Sequence, residues 1–355
     1  MTPHLLPQGV EPGRVTQKDV AERAGVSSAI VSYVVNGGPR AVAPATRARV
    51  LRAVEELGYK PNRHARGLAR GEDHPTREIG LVVGGSSAII ERVFYAQVLA
   101  GIFDEARRAG RRVRFLHFWE DLADPVLFNE HIHPQEASGI ILLAADLART
   151  DPGHSARIEA IRARVGRVAC VDSMVAGLPT VSFDRARAAA LVMEHLLGLG
   201  HRRVAFVGNT GRRAGAYRQI LSAAGLPERP GYLVHPGPHN SSEEGFRGVQ
   251  ALLRLPEPPT AVFAASDEVA VGVLAALQGA GLRVPDDVSV ASVDDEPVAR
   301  FLHPALTTVD VPAAEIGRLA VGALDNDGLF RAPGTMIQVE TRLVVRASTG
   351  APPTG

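Results

Sequence analysis

Val15-Thr16-Gln17-Lys18-Asp19-Val20-Ala21-Glu22-Arg23-Ala24-Gly25-Val26-Ser27 contains a complete helix with its start and stop signals. The Thr16 hydroxyl can accept an orphan backbone N–H, while Asp19 reaches back toward the cap and the positive helix end. Val20, Ala21 and Ala24 form one short apolar stripe, and Gly25 ends the helix with a left-handed turn. Ser27 opens a second helix after a single spacer, with Ile30, Val31 and Val34 facing inward and a stop near Asn36-Gly37-Gly38. Two short helices across a tight Gly-containing turn predict a helix-turn-helix. A third helix is predicted from Pro44 to Leu57, with Val50, Leu51, Val54 and Leu57 at helical spacing and Gly58 as the stop.

Three such helices can hold one exposed helix in a DNA major groove, where its first side chains reach base edges. Here those side chains are Ser28, Ala29, Ser32 and Tyr33. Taken alone, the pattern also fits a small protein-interaction module. The following run, Pro61-Asn62-Arg63-His64-Ala65-Arg66-Gly67-Leu68-Ala69-Arg70, is basic and has one large apolar residue. It reads either as an interdomain linker or as a hinge that folds on DNA and wedges Leu68 into the minor groove.

The chain has 355 residues, enough for two or three domains. Its 45% hydrophobic and 22% charged content is that of a globular protein. No apolar run approaches the roughly 20 residues of a membrane span, and the Pro/Gly-rich start through Gly13 has no signal-peptide organisation. The lone cysteine, Cys170, excludes an internal disulfide and sits in an apolar, strand-like run. Residues 14–70 carry 11 Lys/Arg against 4 Asp/Glu, leaving 28 basic and 34 acidic residues elsewhere. A basic head on an acidic body is the charge pattern of a nucleic-acid-binding module with a second, separate function.

From Ile79 onward, short apolar strands alternate with amphipathic helices, the pattern of parallel sheets covered on both faces. Ile79–Val83, Val113–His117, Gly139–Leu143 and Arg167–Val171 form a first set, with a helix at Tyr95–Ala109. Thr180–Phe183, Arg203–Val207, Tyr232–His235, Ala261–Ala265 and Ser289–Val293 form a second, with helices near Ala186–Leu199, Ser242–Leu253 and Asp267–Ala280. Asp267 is expected to cap the last of these. Sheets of this kind bind ligands beyond the carboxyl ends of their strands, so two facing lobes make a cleft.

The opening run, with Val31-Ser32, Asn36-Gly37 and Glu56-Leu57-Gly58-Tyr59-Lys60-Pro61-Asn62, resembles the head of lactose/galactose-repressor (LacI/GalR) family regulators. His195-Leu196-Leu197-Gly198-Leu199-Gly200-His201-Arg202-Arg203-Val204-Ala205-Phe206-Val207-Gly208, Ala264-Ala265-Ser266-Asp267, Gly281 to Val290 and Leu306-Thr307-Thr308-Val309 extend the resemblance to about Ser348. It implies a periplasmic-binding-protein-like body crossed by the chain near Phe183, Val309 and Gln338. It also implies base reading by Ser28, Ala29 and Tyr33, phosphate contacts along Thr16, Ser27, Ser32 and Asn36, a contact by Asn62 and a wedge at Leu68. The cleft residues it implies are Phe94, Tyr95, Asp172, Phe183, Arg212, Asn240, Ser266 and Asp294. Carboxylates and an Arg orient hydroxyls or a carboxylate, and aromatics stack on a sugar face or a base.

Several positions depart from the family pattern. Tyr33 stands where many relatives have Arg, Ile30 replaces a Thr, and Ala43 replaces a hydroxyl cap, a loss of about 1 kcal/mol. The loop from Gly208 to Arg212 is short, which makes Arg213 a rival for the arginine role. Ser266 replaces an Asn, and Gly84-Gly85-Ser86-Ser87 lacks the usual polar-Pro pattern.

The expected organisation is a flexible leader (1–13), a helix-turn-helix domain (14–61), a hinge helix or linker (62–75), a first lobe (76–183 and 309–338), a second lobe (184–308 and 339–348) and a tail (349–355). The tail has no apolar heptads, so a homodimer on a pseudo-palindromic operator is expected rather than a coiled-coil tetramer. No phosphate loop, nucleophile elbow or H-E-x-x-H zinc signature occurs. No catalytic residue or cofactor is therefore assigned, and His131-x-His133 with Glu136 is not read as a metal site. The reading is a cytoplasmic, non-enzymatic DNA-binding regulator controlled by a small molecule such as a sugar. A transport-type solute-binding protein and a regulator whose head has lost operator specificity are the alternatives.

Overall fold

The computed structural model describes residues 15–36, 42–57, 59 and 77–353, apart from 86, 146–150, 152, 210, 238 and 333. The leader, the stops at Gly37-Gly38 and Gly58, the Ser86 position and the hinge with Asn62 and Leu68 lie outside these residues. The chain divides into two compact units, Met1–His74 and Pro75–Gly355.

In the first unit, helices α1 (Gln17–Ala24), α2 (Ser28–Asn36) and α3 (Pro44–Leu57) surround a core of Val20, Ala21, Ala24, Val31, Val34, Val50 and Ala53. The capping box is complete: Asp19 N donates to Thr16 Oγ1 at 3.4 Å and Thr16 N donates to Asp19 Oδ2 at 2.7 Å. Gly25 follows in the left-handed region at φ 64°. One expectation is corrected. Leu51 is 47% exposed, and Ala53 takes the inward place. Val50, Ala53, Val54 and Leu57 keep one helical stripe, whereas Leu51 sits about 100° away from Val50.

The second unit holds two six-stranded sheets. The first comprises β1 (Glu78–Val83), β2 (Arg112–Phe118), β3 (Gly139–Leu143), β4 (Val168–Val171), β5 (Thr180–Phe183) and β11 (Met336–Val339), in the order β11-β5-β4-β3-β1-β2. The second comprises β6 (Val204–Val207), β7 (Leu233–Val234), β8 (Ala261–Ala264), β9 (Ser289–Asp294), β10 (Thr307–Asp310) and β12 (Arg342–Val344), in the order β12-β10-β9-β8-β6-β7. All pairings are parallel except that of β12 with β10. Strand periodicity alone had grouped Thr180–Phe183 with the second set; β5 instead pairs with β4 and β11 in the first sheet. The chain changes sheets after Phe183, after Asp310 and between Val339 and Arg342.

Among the covering helices are α4 (Ala88–Glu91), α5 (Val93–Arg108), α6 (Pro125–His131), α7 (His154–Val165), α8 (Arg185–Gly198), α9 (Arg212–Ala223), α10 (Ser242–Leu252), α11 (Asp267–Gly279) and α12 (Ala313–Asp325). Each lobe contains one helix pair drawn together at glycine. A Cβ on Gly317 of α12 would fall on the Val98 carbonyl of α5, and one on Gly272 of α11 would fall on the Ser242 carbonyl of α10.

The tail is stitched to the second lobe. Thr349 Oγ1 lies 2.9 Å from His195 Nε2, and the fully buried His201 ring meets Thr260 Oγ1 at 2.9 Å and the Gly350 carbonyl at 3.0 Å.

Candidate DNA-reading face and effector cleft

The head presents Thr16, Ser27, Ser28 and Ala29 exposed and Ser32 and Tyr33 half-buried, around the start of α2. Two of the hydroxyls already have local work. Thr16 Oγ1 donates to Asp19 Oδ2 at 2.7 Å, and Ser27 Oγ accepts from Ile30 N at 3.4 Å. The Asp19 carboxyl is held below its ordinary range, first by the Thr16 backbone N–H and then by the Thr16 hydroxyl. Ser28, Ala29 and Tyr33 are the sequence-predicted base readers that take no part in these caps. Asn36 closes α2.

In the body, segments beyond the carboxyl ends of both sheets converge. Ala144, Asp172, Asn240, Asp294 and Asp295 all have positive φ there, from 49° to 124°. Non-glycine residues in such conformations cost about 1–3 kcal/mol each, and clusters of them mark ligand clamps and switch regions.

On the first-lobe side, Tyr95 Oη donates to Asp172 Oδ2 at 2.7 Å, and Arg185 from the start of α8 pairs with the same carboxylate. Phe94 meets Tyr95 edge-on at 5.1 Å between ring centres and Phe183 at 6.0 Å. The Arg185 and Arg213 guanidinium groups lie 4.8 and 5.5 Å from the Phe183 ring centre. Facing them, Arg213 Nη2 approaches Asp294 Oδ1 at 3.4 Å. Arg92, just before α5, reaches across to Glu268 of α11 at 3.8 Å. Arg185–Asp172 and Arg92–Glu268 therefore join the two lobes.

The structure brings together Phe94, Tyr95, Asp172, Phe183 and Asp294 from the sequence-predicted set. Arg212 lies at the exposed rim of the same cleft. It is exposed and its Nη2 meets Met174 Sδ, while Arg213 faces the carboxylate. Successive helical residues point about 100° apart, so the two adjacent arginines meet different partners, Arg212 at the rim and Arg213 inside. Asn240 is buried and accepts from Asn209 N at 2.8 Å, shaping the loop after β6.

The expected helix cap at Asp267 is corrected to Ser266. Ser266 Oγ caps α11 by accepting from Val269 N at 3.3 Å. The buried Asp267 carboxylate instead accepts from Ser292 Oγ at 2.5 Å, Thr308 Oγ1 at 2.6 Å and Glu296 N at 2.7 Å, tying β9 to β10. A Ser hydroxyl is short enough to bond its own helix start, which releases the following carboxylate for the crossover strands.

Burial dominates the electrostatics. It pushes the Asp294 carboxyl up against the opposing pull of Arg213, Arg92 and Arg185, and lowers the Arg213 guanidinium. Asp267 is raised to about 7 by burial and then by Asp294. Glu296 is raised to about 8 by burial and then by Asp294, Asp267 and Glu268. Ser173 Oγ, Arg92 Nε and Arg213 Nε are buried there without a hydrogen-bond partner. Such groups are costly unless something bonds them.

Arg92, Ser173, Arg185, Glu268 and Glu296 carried no periodic or spacing signal in the sequence beyond Glu296's place in the acidic turn Asp294-Asp295-Glu296-Pro297. Two open hollows around Arg218 and Glu228 lie at the other end of the second sheet, where those two side chains pair with each other. The cleft, by contrast, gathers buried charge and unpartnered donors. Among the described residues no group of three His, Cys, Asp or Glu is placed to hold a metal ion. Glu136 pairs with Arg114. No helix among them is long and apolar enough to cross a membrane.

Residues 16–62 match the model of bacterial regulatory proteins of the lacI family, and residues 193–349 that of a periplasmic binding protein-like domain. Catabolite control protein A of Priestia megaterium is 31% identical over 343 residues, covering 94% of this chain and 99% of that protein. The lac repressor dimer bound to operator and the anti-inducer ONPF is similar at a TM-score of 0.72 and 27% identity, covering 95% of this chain and 99% of that one. A complex of the transcriptional regulator CelR with cellobiose is similar at a TM-score of 0.66 and 29% identity, covering 94% of this chain and 100% of that one.

Proposed function

This chain belongs to the lacI family of bacterial regulatory proteins, and from that premise we propose that it is a cytoplasmic, non-enzymatic repressor whose operator affinity is set by a sugar-like effector in the interlobe cleft. The head supplies sequence-specific DNA binding, and a dimer places two heads on a pseudo-palindromic site. Ser28, Ala29 and Tyr33 read bases, and backbone and hydroxyl groups at the starts of α1 and α2 meet phosphates, which position the head without specifying sequence.

One observation carries the sensing half. Charged and polar side chains from both lobes meet at the strand ends through Arg185–Asp172 and Arg92–Glu268, with buried donors left unbonded. A ligand that bonds those donors changes the relative stability of lobe orientations. An effector shifts DNA affinity only through such differential binding, and operator must shift effector affinity by the same factor.

Selection from random duplex with the full-length protein, repeated with and without a panel of sugars and nucleosides, tests this reading. The expected result is an enriched pseudo-palindrome whose affinity changes at least severalfold with one compound class. No enriched motif would refute the DNA-binding half. Tight binding of a compound with unchanged operator affinity would refute the control by effector.

A further inference from the structure

Among the contacts that cross between the lobes, one leaves a guanidinium on a poor acceptor. Arg185–Asp172 and Arg92–Glu268 each join a guanidinium to a carboxylate. Arg212, the first residue of α9 in the second lobe, instead donates through Nη2 to the thioether of Met174, which lies between β4 and β5 of the first lobe. Among the described residues no carboxylate pairs with Arg212, and a thioether sulfur accepts only weakly. The contact stands at the rim, next to Arg213 in one lobe and two residues beyond Asp172 in the other. Met174 is 51% exposed, so reagents in solvent reach its sulfur. Met193 is fully buried, and Met336 begins β11, at the end of the first sheet away from the cleft.

One added oxygen turns this weak acceptor into a strong one. With a peroxide as oxidant, the Sδ lone pair attacks one peroxide oxygen, the O–O bond breaks and an S–O bond forms. The other oxygen takes up the proton and departs as water or an alcohol, so the sulfur is oxidised by the electron pair that the peroxide gains. The sulfoxide oxygen then accepts from Arg212, a charge-assisted hydrogen bond across the mouth of the cleft. We propose that Met174 is a reversible oxidation site through which peroxides act on the lobe arrangement, with Arg212 as the group that reads the added oxygen. The strengthened bridge favours the joined arrangement of the lobes without filling the cleft, and methionine sulfoxide reductases restore the thioether. This rests on the reading of the cleft as the sensing site, because the bridge reaches the operator only through the lobe arrangement.

The test uses the full-length protein, dilute hydrogen peroxide and the duplex enriched from the random pool. Peptide mass spectrometry should find the added oxygen at Met174 well ahead of Met193. Affinity for the duplex should then shift by about 2- to 5-fold, the range of an exposed contact to a charged group. Methionine sulfoxide reductase should restore the original affinity. Met174→Leu and Arg212→Ala should each abolish the shift, and Met336→Leu should retain it. Met174→Gln, which offers a carbonyl oxygen at similar reach, should reproduce part of it without peroxide, with thermal midpoints confirming that the variants fold. Oxidised Met174 with unchanged duplex affinity, or a shift that survives Met174→Leu or Arg212→Ala, would overturn the proposal. A sugar or nucleoside that shifts the duplex affinity of the reduced protein, where oxidation does not, would leave the sensing role standing and remove the oxidation site. A shift on oxidation that needs both residues, with no response to any compound, would do the reverse. Failure to enrich any duplex would count against both.

Discussion

Arg213 and Asp294 oppose each other across 3.4 Å at the floor of the cleft, with their side chains only 13% and 5% exposed. The pair is buried and its hydrogen bond is long, so each group depends on the other for charge compensation more than for a tight contact. Arg213→Ala is expected to destabilise the body by about 3 kcal/mol or more, because it leaves a buried carboxylate unpaired. Arg212→Ala, at the exposed position one residue earlier, should stay within about 0.5 kcal/mol. Urea unfolding of the two variants decides between the arginines; equal losses would show that Arg213 does not carry the pair.

The raised carboxyls set a pH dependence of stability whose sign follows from proton counting. Glu296 titrates near 8 in the folded body against an ordinary 4.5, and Asp267 near 7 against 3.8. Between those limits the folded state holds protons that the unfolded chain has released. Their contribution is therefore fully present below about pH 4 and is lost as pH rises through 7 and 8. Each group can lower stability by up to about 1.4 kcal/mol per pH unit across its window. Glu296→Gln should flatten the decline between pH 5 and 8 and become more stabilising, relative to the parent, toward pH 8. A parallel pair of stability-versus-pH curves would exclude Glu296 as a group that keeps its proton.

What was legible in the sequence was local. Thr16, Asp19 and Gly25 specify α1 within ten residues, because a capping box and a left-handed stop need no partner from elsewhere. The alternation of strands and helices was equally clear, yet it could not say which sheet Thr180–Phe183 would join. Both sheets accept an apolar strand, and β5 lies between β4 and β11, the latter about 150 residues downstream. The cleft was legible in type and less so in register. One residue of helical phase separates Arg212 from Arg213, and the short loop after Gly208 hides that phase. Glu296 acquires its meaning from Asp267, Glu268 and Arg92, contributed by two other places in the chain, and no spacing rule connects them.

The glycine contacts between helices give a stability test free of charge effects. At Gly272 an added Cβ would meet the backbone of Ser242 and Phe246, which cannot rotate away as a side chain would. Gly272→Ala is expected to cost about 1–3 kcal/mol through forced separation of α10 and α11. Gly279 ends the same helix with nothing within 4 Å of its added Cβ. Gly279→Ala should be neutral or stabilising by up to about 1 kcal/mol, since alanine loses less backbone freedom in a helix. Thermal or urea melts of the two variants check this, and equal effects would mean that helix propensity rather than close approach governs Gly272.

Tyr33 is the sharpest test of the head. It sits half-buried on α2 with Ser28 and Ala29 exposed one turn earlier, and its ring cannot grip guanine O6 and N7 as the paired donors of an arginine do. Tyr33→Arg is therefore expected to move the preferred operator toward guanine at one position in each half-site, by about 1–3 kcal/mol of discrimination. Thr16→Ala should act differently. It removes the hydroxyl side of a capping box, costing the head about 1 kcal/mol, and weakens all duplexes alike without changing the enriched motif. Selection from random duplex with the two variants separates these outcomes. If Tyr33→Arg leaves the motif unchanged, the tyrosine belongs to the support of the helix and base reading falls to Ser28 and Ala29.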